Sequence, residues 1–212
     1  PIFCFFHRPL SEMSINIILL ISIGIVSYMA FENRELFHKL LFSPYIIIRQ
    51  KEWYRFLSSA WLHGDMMHLF VNLYVLYSFG DYLEYVFGSW FGTYGWVYYL
   101  FVFAGSVIIG HLPSYIKHKD NYGFSSVGAS GGVSGVLFAC ILINPLMELR
   151  LFFAIPINSL IFGVLYLVYT YYMAQRGDDK INHDAHMWGA IGGMALLVAV
   201  RPSVVLEFVS QL

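Results

Sequence analysis

The sequence predicts an all-α polytopic membrane protein, a bundle of six membrane-spanning helices with a long interfacial first loop. Of its 212 residues, 58% are hydrophobic and 12% are charged, whereas soluble domains carry about 25% charged residues. The mean hydropathy is +0.65. Long runs with almost no charge, each near the roughly 17–25 residues that a membrane helix needs, lie at 15–31, 66–80, 90–110, 128–143, 151–173 and 185–200.

The first run and the segment after it are taken as a retained span and a surface loop. Run 15–31 is long for a signal peptide, and residues 27–30 form no convincing small-residue cleavage site. Connection 32–65 mixes charges with aliphatic and aromatic residues, which is typical of segments in the plane of the membrane interface. We expect one membrane domain at 12–205, between an N-terminal stub at 1–11 and a C-terminal tail at 206–212.

The ends of the later spans are predicted from proline and glycine. Pro113, Pro145 and Pro202 each follow an apolar run, where a residue that cannot donate to the helix ladder is tolerated. The fourth run is short and begins with Gly128-Ala129-Ser130-Gly131-Gly132. Its helix is therefore expected to begin inside the membrane slab, where irregular backbone survives only if protein or a watery cavity covers it.

Charge and cysteine content exclude several classes of function. The net charge is −1 and the sequence has no basic run, so it lacks the clustered Lys and Arg of a nucleic-acid-binding protein. The two cysteines, Cys4 and Cys140, are too few and too differently placed for a disulfide framework or a metal cluster. The sequence contains no HExxH run, the motif that would indicate a metalloprotease. We predict no metal and no cofactor.

The Lys and Arg distribution bears on orientation. With the N-terminus inside, only Arg8, Arg150 and Arg201 would lie inside, against nine outer Lys and Arg residues, so the positive-inside rule places the N-terminus outside. Five of the nine belong to connection 32–65, where they can anchor that segment to the interface.

Polar side chains in the apolar runs are the candidate functional residues, because a bilayer makes them costly. They are His68 and Asn72 in the second run, Ser130 in the fourth and His186 in the sixth. Each alone has a structural explanation, since a membrane Ser bonds its own helix, an Asn links helices and a His near a helix end faces water. His68 and Asn72 are four apart and share one helical face.

Two stripes of small residues give these four side chains a common location. Gly131, Gly135 and Ala139 recur every fourth position after Ser130, and Gly189 and Gly193 share the face of His186. Such stripes let helices approach closely in lipid, so the fourth and sixth helices could bring Ser130 to His186. A serine needs a base to become a nucleophile, and the resulting oxyanion needs preorganised donors. The four residues supply one nucleophile, one base and two donors.

At these residues the sequence resembles the rhomboid family of intramembrane serine proteases, over roughly residues 12 to 205. Glu52-Trp53-Tyr54-Arg55, His63, His68, Asn72, Gly80, Glu84 and Gly88 resemble its first loop and second span. Gly128-Ala129-Ser130-Gly131 resembles its GxSG nucleophile motif, and Ala185-His186-Met187-Trp188-Gly189 with Gly193 resembles its last span.

The resemblance implies a six-helix rhomboid bundle of the bacterial type with a Ser-His dyad. It implies that Ser130 attacks the peptide carbonyl, that His186 takes its proton, and that His68, Asn72 and the Ser130 N–H hold the oxyanion. Family members generally cut transmembrane helices near their outer ends, so the implied partners are transmembrane protein substrates and the lipid bilayer. The family's usual topology puts the N-terminus inside, and we follow it over the charge count.

Two departures from the family pattern leave alternatives open. The position four after the nucleophile often carries an aromatic that stacks on the catalytic histidine, and here it is Ser134. Gly132-Val133-Ser134-Gly135 is itself a GxSG, followed by Phe138. We prefer Ser130, because the longer run 128–135 resembles a common bacterial variant of the motif.

A second histidine and an aspartate lie beside the proposed base. His183 follows a charged stretch and is interpreted as loop, whereas His186 heads the small-residue stripe. Asp184 is two residues before His186, on a different helical face, and receives no catalytic role.

Other functions compete with proteolysis. An inactive rhomboid-like protein that binds membrane clients typically lacks the serine or the histidine, and this chain has both. A transporter would use buried polar residues as a path, but no repeated half is visible and the ionisable residues gather toward one end of the spans. The short build suggests the bacterial inner membrane as location.

Overall fold

The computed structural model describes residues 14–151, 155–176 and 181–212, which are mainly helical. The helices are α1 (Ile15–Glu32), α2 (Arg34–Leu40), α3 (Pro44–Gln50), α4 (Arg55–Ser58), α5 (Met66–Phe91), α6 (Gly95–Lys117), α7 (Ser130–Ile143), α8 (Ser159–Arg176), α9 (His183–Val200) and α10 (Val204–Val209). One antiparallel hairpin, β1 (Glu148–Leu151) and β2 (Ile155–Asn158), precedes α8. The all-α prediction is confirmed; the predicted stub at 1–11, with Cys4, lies outside the described residues.

The six predicted runs fall on α1, α5, α6, α7, α8 and α9, the longest of the described helices. Helix α1 and the stretch Met66–Lys117, which contains α5 and α6, are each long and apolar enough to cross a bilayer. Helix α7 has 14 residues, about 21 Å at 1.5 Å per residue, which is shorter than a hydrocarbon core of about 30 Å. This length fits the expectation that α7 begins below the membrane surface.

The predicted boundary between the second and third runs is wrong. Trp90 belongs to the end of α5, and α6 begins only at Gly95. Pro113 does not end α6, which continues to Lys117. The following turn is held by tertiary contact, because the buried Ser114 donates from Oγ to Asn182 Oδ1 at 3.1 Å. That contact offsets the loss of the backbone hydrogen bond that Pro113, which has no N–H, cannot donate.

The start of the fifth run at 151 is also wrong, because β1 and β2 occupy the first part of that run. Leu149 is buried and pairs with Ile157 across the hairpin. Helix α8 begins only after Asn158, whose Oδ1 accepts the N–H groups of Leu160 at 2.9 Å and Ile161 at 3.3 Å. A side chain that satisfies the first free N–H groups of a helix fixes where that helix starts.

Helices α6, α7 and α9 form the centre of the bundle, and α5 packs against α6 and α7. Every residue of α7 from Gly131 to Ile141 is buried. A Cβ on Gly189 would meet the backbone of Gly131, and a Cβ on Gly193 would meet the backbone of Gly135. The predicted close contact of the two small-residue stripes is therefore confirmed.

The first connection folds into α2, α3, α4 and a 3₁₀ turn at Ser59–Trp61. The buried Arg55 joins its parts, donating to the carbonyls of His38 at 2.8 Å and Leu41 at 2.9 Å and pairing with Glu52. Phe42 and Ser126 exchange two backbone hydrogen bonds of 3.0 Å. This pairing attaches the first connection to the segment that leads into α7.

Glu84 joins α1 to α5 at the opposite end of α5 from His68. Its buried carboxylate accepts from Ser14 Oγ at 2.6 Å and from the N–H groups of Ile15 and Asn16. These are orphan donors at the start of α1, which a carboxylate both satisfies and stabilises electrostatically. Asn16 Oδ1 also accepts from Tyr99 on α6 at 2.6 Å.

Candidate active site

The turn before α7 presents Ser130 as the first residue of that helix. Gly128 has φ 127°, a conformation that residues with a side chain rarely adopt. Its N–H donates to the Ser59 carbonyl at 3.0 Å. Because the first N–H groups of a helix have no partner within it, the Ser130 N–H lies at the partially positive end of α7.

The four candidate residues, Ser130, His186, His68 and Asn72, line one cavity of about 880 Å³. They come from three helices, α5, α7 and α9. Ser130, His186 and His68 are partly exposed, whereas Asn72 is buried. A concave site that combines apolar walls with a few convergent polar groups is the usual form of a ligand site.

The His68 ring lies over the turn 127–130 that leads into α7, called here the nucleophile turn after the candidate role of Ser130. A Cβ built on Gly128 would fall 3.0 Å from His68 Nε2 and 3.6 Å from Ser130 Oγ. Both groups thus border the space that the glycine leaves empty. Asn72 donates from Nδ2 to the His68 carbonyl at 2.8 Å, which orients its amide and leaves a second N–H.

The backbones that carry Ser130 and His186 are in contact. A Cβ on Gly131, the residue after Ser130, would lie 3.4 Å from the carbonyl oxygen of Ala185, the residue before His186. One turn later, Gly189 meets the Gly131 backbone. The glycine pair therefore brings the two candidate catalytic residues to the same level of the bundle.

Tyr166 on α8 was not found by the sequence argument. Its ring is nearly parallel to that of His186, with centroids 6.5 Å apart and planes 11° apart. Its hydroxyl lies 2.7 Å from Ser134 Oγ. A ring parallel to that of His186 thus comes from α8, and Ser134, where the resemblance to rhomboid proteases leads us to expect an aromatic, lies within hydrogen-bond distance of its hydroxyl. A tyrosine in an apolar run needs a partner for its hydroxyl, which is the signal that could have paired Tyr166 with Ser134.

The expectation that His183 lies in a loop is wrong. His183 is the first residue of α9 and is buried. Asn182 caps α9 by accepting the Ala185 N–H at 3.2 Å. The helix therefore begins at His183, three residues before His186. The His183 and His186 rings pack edge to face with centroids 5.8 Å apart.

Within residues 14–151, 155–176 and 181–212, no three His, Cys, Asp or Glu side chains gather closely enough to hold an ion. The buried Cys140 is a free thiol.

Replacing Gly128 by alanine is expected to lower the reactivity of Ser130 by about tenfold. The new Cβ would meet the His68 ring at 2.8 Å, and a residue with a side chain at this φ costs about 1–3 kcal/mol of strain. The rate at which Ser130 reacts with a fluorophosphonate probe measures the effect. Gly123→Ala in the same connection is the control, because its Cβ would make only an ordinary contact. Equal rates for the two variants would contradict the prediction.

Comparison with known proteins gives one family. Residues 50–203 match the model of the Rhomboid domain. The chain is 29% identical over 167 residues to Rhomboid-like protein 11, chloroplastic, of Arabidopsis thaliana, covering 73% of this chain and 55% of that protein. It is 28% identical over 157 residues to Rhomboid protease GluP of Bacillus subtilis, covering 73% of this chain and 27% of that protein. The chain thus spans about half or less of these relatives' length.

Proposed function

The chain belongs to the rhomboid family, and from that premise we propose that it is an intramembrane serine endopeptidase with Ser130 as nucleophile and His186 as general base. The family and the apolar helices make it an integral membrane protein. The observation that carries the proposal is that Ser130, His186, His68 and Asn72 line one cavity.

The proposed chemistry is acyl transfer to Ser130. His186 takes the hydroxyl proton as Ser130 Oγ attacks the peptide carbonyl, and the imidazolium then gives that proton to the leaving amine. Water, activated by the neutral His186, hydrolyses the acyl-enzyme and regenerates the serine. The contact between Gly131 and Ala185 supports this pairing, since it brings the two backbones together beside the reacting groups.

Ser130 is a better nucleophile candidate than Ser134. Ser134 is 4% exposed, and its hydroxyl is engaged by Tyr166 at 2.7 Å. Ser130 is partly exposed to the cavity at the start of α7. Negative charge that develops beside a helix N-terminus is stabilised by the helix dipole, which favours the position of Ser130 over one a turn further on.

The proposed oxyanion hole consists of the Ser130 N–H with the side chains of His68 and Asn72. The position of the His68 ring against Gly128 and the free second N–H of Asn72 support it. Loss of one such donor typically costs about 3–4 kcal/mol of transition-state stabilisation.

Substrates of this site are proposed to be transmembrane proteins whose helix unwinds into the cavity. The bacterial inner membrane stays a prediction for the location, because the relatives above include a protein named as chloroplastic.

The test uses purified protein in liposomes with a panel of single-span substrates and a fluorophosphonate probe. We expect cleavage of some substrates and covalent probe on the peptide that contains Ser130, located by mass spectrometry. Neither cleavage nor labelling in any liposome or detergent would refute the proposal and favour the inactive, client-binding alternative.

Tyr166 is proposed to position His186 during this reaction. Tyr166→Leu removes the ring stacked on His186, and since an aromatic pair contributes about 0.5–1.5 kcal/mol we expect kcat to fall about two- to tenfold with little change in KM. Tyr166→Phe keeps the ring, loses only the bond to Ser134, and is expected to retain more activity than Tyr166→Leu. The idea fails if the two variants cleave a substrate at the same rate.

A further inference from the structure

We propose that His63 is a positioning residue for the nucleophile turn: a neutral imidazole, held in one tautomer by Ser27, that accepts the Ala129 N–H and so orients the peptide group before Ser130. The proposal rests on the function proposed above, and neither the family motifs nor the chemistry of the dyad assigns this role to Ser27 or His63.

The hydrogen bonds of Ser27 determine the His63 tautomer. Ser27 Oγ lies 2.8 Å from the Trp61 carbonyl oxygen and 2.8 Å from His63 Nδ1. A carbonyl can only accept, so the single hydroxyl proton goes to Trp61. His63 Nδ1 must then carry a proton and donate it to Ser27 Oγ. In a neutral ring this leaves Nε2 as an acceptor.

The acceptor nitrogen faces the nucleophile turn. The Ala129 N–H points at His63 Nε2 at an N···N distance of 3.4 Å, a long hydrogen bond. An Nε2–H tautomer would place two hydrogens against each other at this contact. Ser27 on α1 thereby selects the ring form that the backbone before Ser130 requires.

Burial makes this chain of contacts matter. Ser27, His63 and Ala129 are at most 1% exposed, so water does not replace a lost partner. Burial, with a smaller contribution from His68 and against an opposing one from Asp65, lowers the pKa of His63 to about 3. The ring is therefore neutral in any ordinary assay, and a buried N–H left without an acceptor is costly.

Two successive amides of the turn are thus held by the first connection. The Gly128 N–H donates to Ser59 and the Ala129 N–H to His63. With these two amides engaged, the Ser130 N–H is the first amide at the start of α7 that is left for an oxyanion. A shift of this turn would displace both Ser130 Oγ and its N–H, and small misplacements of reacting groups are expensive in rate.

Two substitutions of His63 distinguish its contact with Ser27 from its contact with Ala129. His63→Gln can place an amide oxygen near the position of Nε2 and accept the Ala129 N–H, while losing contact with Ser27. His63→Asn can reach Ser27 but is too short to reach Ala129. A residue that only fills space would respond to both changes in the same way.

The measurements are the fluorophosphonate labelling rate of Ser130, amide hydrogen exchange of the peptide that covers 127–131, and the thermal midpoint, all on the 212-residue chain in liposomes. For His63→Asn we expect labelling to slow by about tenfold, the equivalent of one hydrogen bond, and the peptide to exchange faster. His63→Gln is expected to stay within about threefold of the unmodified protein in labelling. Asn and Gln variants that label and exchange alike would overturn the proposal, whatever their thermal midpoints.

Ser22→Ala is the matched control. Ser22 lies on α1 and accepts from Trp61 Nε1 at 2.9 Å, so this variant removes another hydrogen bond between α1 and the first connection without touching His63. Its labelling and exchange are expected to match the unmodified protein; effects equal to those of His63→Asn would show that any loosening of this contact suffices and would overturn the proposal. If the unmodified protein does not label, the proposed function fails, while the exchange difference between the Asn and Gln variants still tests the hydrogen bond.

Discussion

Ser130→Ala is expected to abolish cleavage of a transmembrane substrate, with a fall in kcat of at least about a thousandfold, because the methyl group of alanine cannot form the covalent acyl-enzyme. His186→Ala is expected to match it. Since nucleophile and base act as a unit, the double variant is expected to be no worse than either single variant. Initial rates with one single-span substrate in liposomes measure all three.

Ser134→Ala is the control that decides between the two overlapping GxSG motifs. It removes the hydroxyl bonded to Tyr166, and the loss of one such bond corresponds to less than about tenfold in rate. Loss of all cleavage in Ser134→Ala together with activity in Ser130→Ala would make Ser134 the nucleophile and refute the assignment.

Gly189→Ala is expected to separate α7 from α9 and to lower both stability and activity. Its Cβ would fall 2.8 Å from Gly131 Cα, a backbone atom that cannot rotate away. Overpacking of this kind costs about 1–3 kcal/mol, and since a shift of about 1 Å between reacting groups can cost about a hundredfold in rate, cleavage is expected to fall by more than tenfold. The thermal midpoint and the cleavage rate are the two measurements.

Gly88→Ala is the matched control for this substitution. Gly88 is also inside a long helix, but a Cβ there would meet nothing within 4 Å. Because alanine favours a helix over glycine by up to about 1 kcal/mol, the midpoint is expected to stay or rise. An equal loss of stability in both variants would show that helix propensity, and not the contact with Gly131, explains the effect.

The sequence predicted the long helices, because the length of an apolar run is a local signal. It did not predict helix ends that are determined by tertiary contacts. Runs without charge placed all six long helices. Pro113 was misjudged because Ser114 holds the next turn through Asn182. The hairpin before α8 was missed because an apolar run in the sequence does not distinguish a strand from a helix start, which Asn158 determines here.

The sequence predicted the candidate site residues but not the residues that hold them in position. Ser130, His186, His68 and Asn72 stand out because polar groups are costly in an apolar span, and all four line one cavity. Ser27 carries no such signal, since a serine in a membrane helix is common. The hydroxyl of Tyr166 indicates that it needs a hydrogen-bond partner, but not that its ring lies beside His186. Their relevance follows only from contacts with His186 and His63.

The sequence alone determined that this protein lies in a membrane as a helical bundle, because hydrophobicity and spacing are properties of a local stretch of chain. It also determined the candidate nucleophile, base and oxyanion donors through their motifs. Only the tertiary structure decided which ring stacks on His186, which tautomer His63 adopts and which serine hydroxyl is engaged by another side chain. The two hydrogen bonds join residues that are 32 and 36 positions apart, and the stacked rings belong to different helices. A local sequence pattern does not determine which distant residues come into contact.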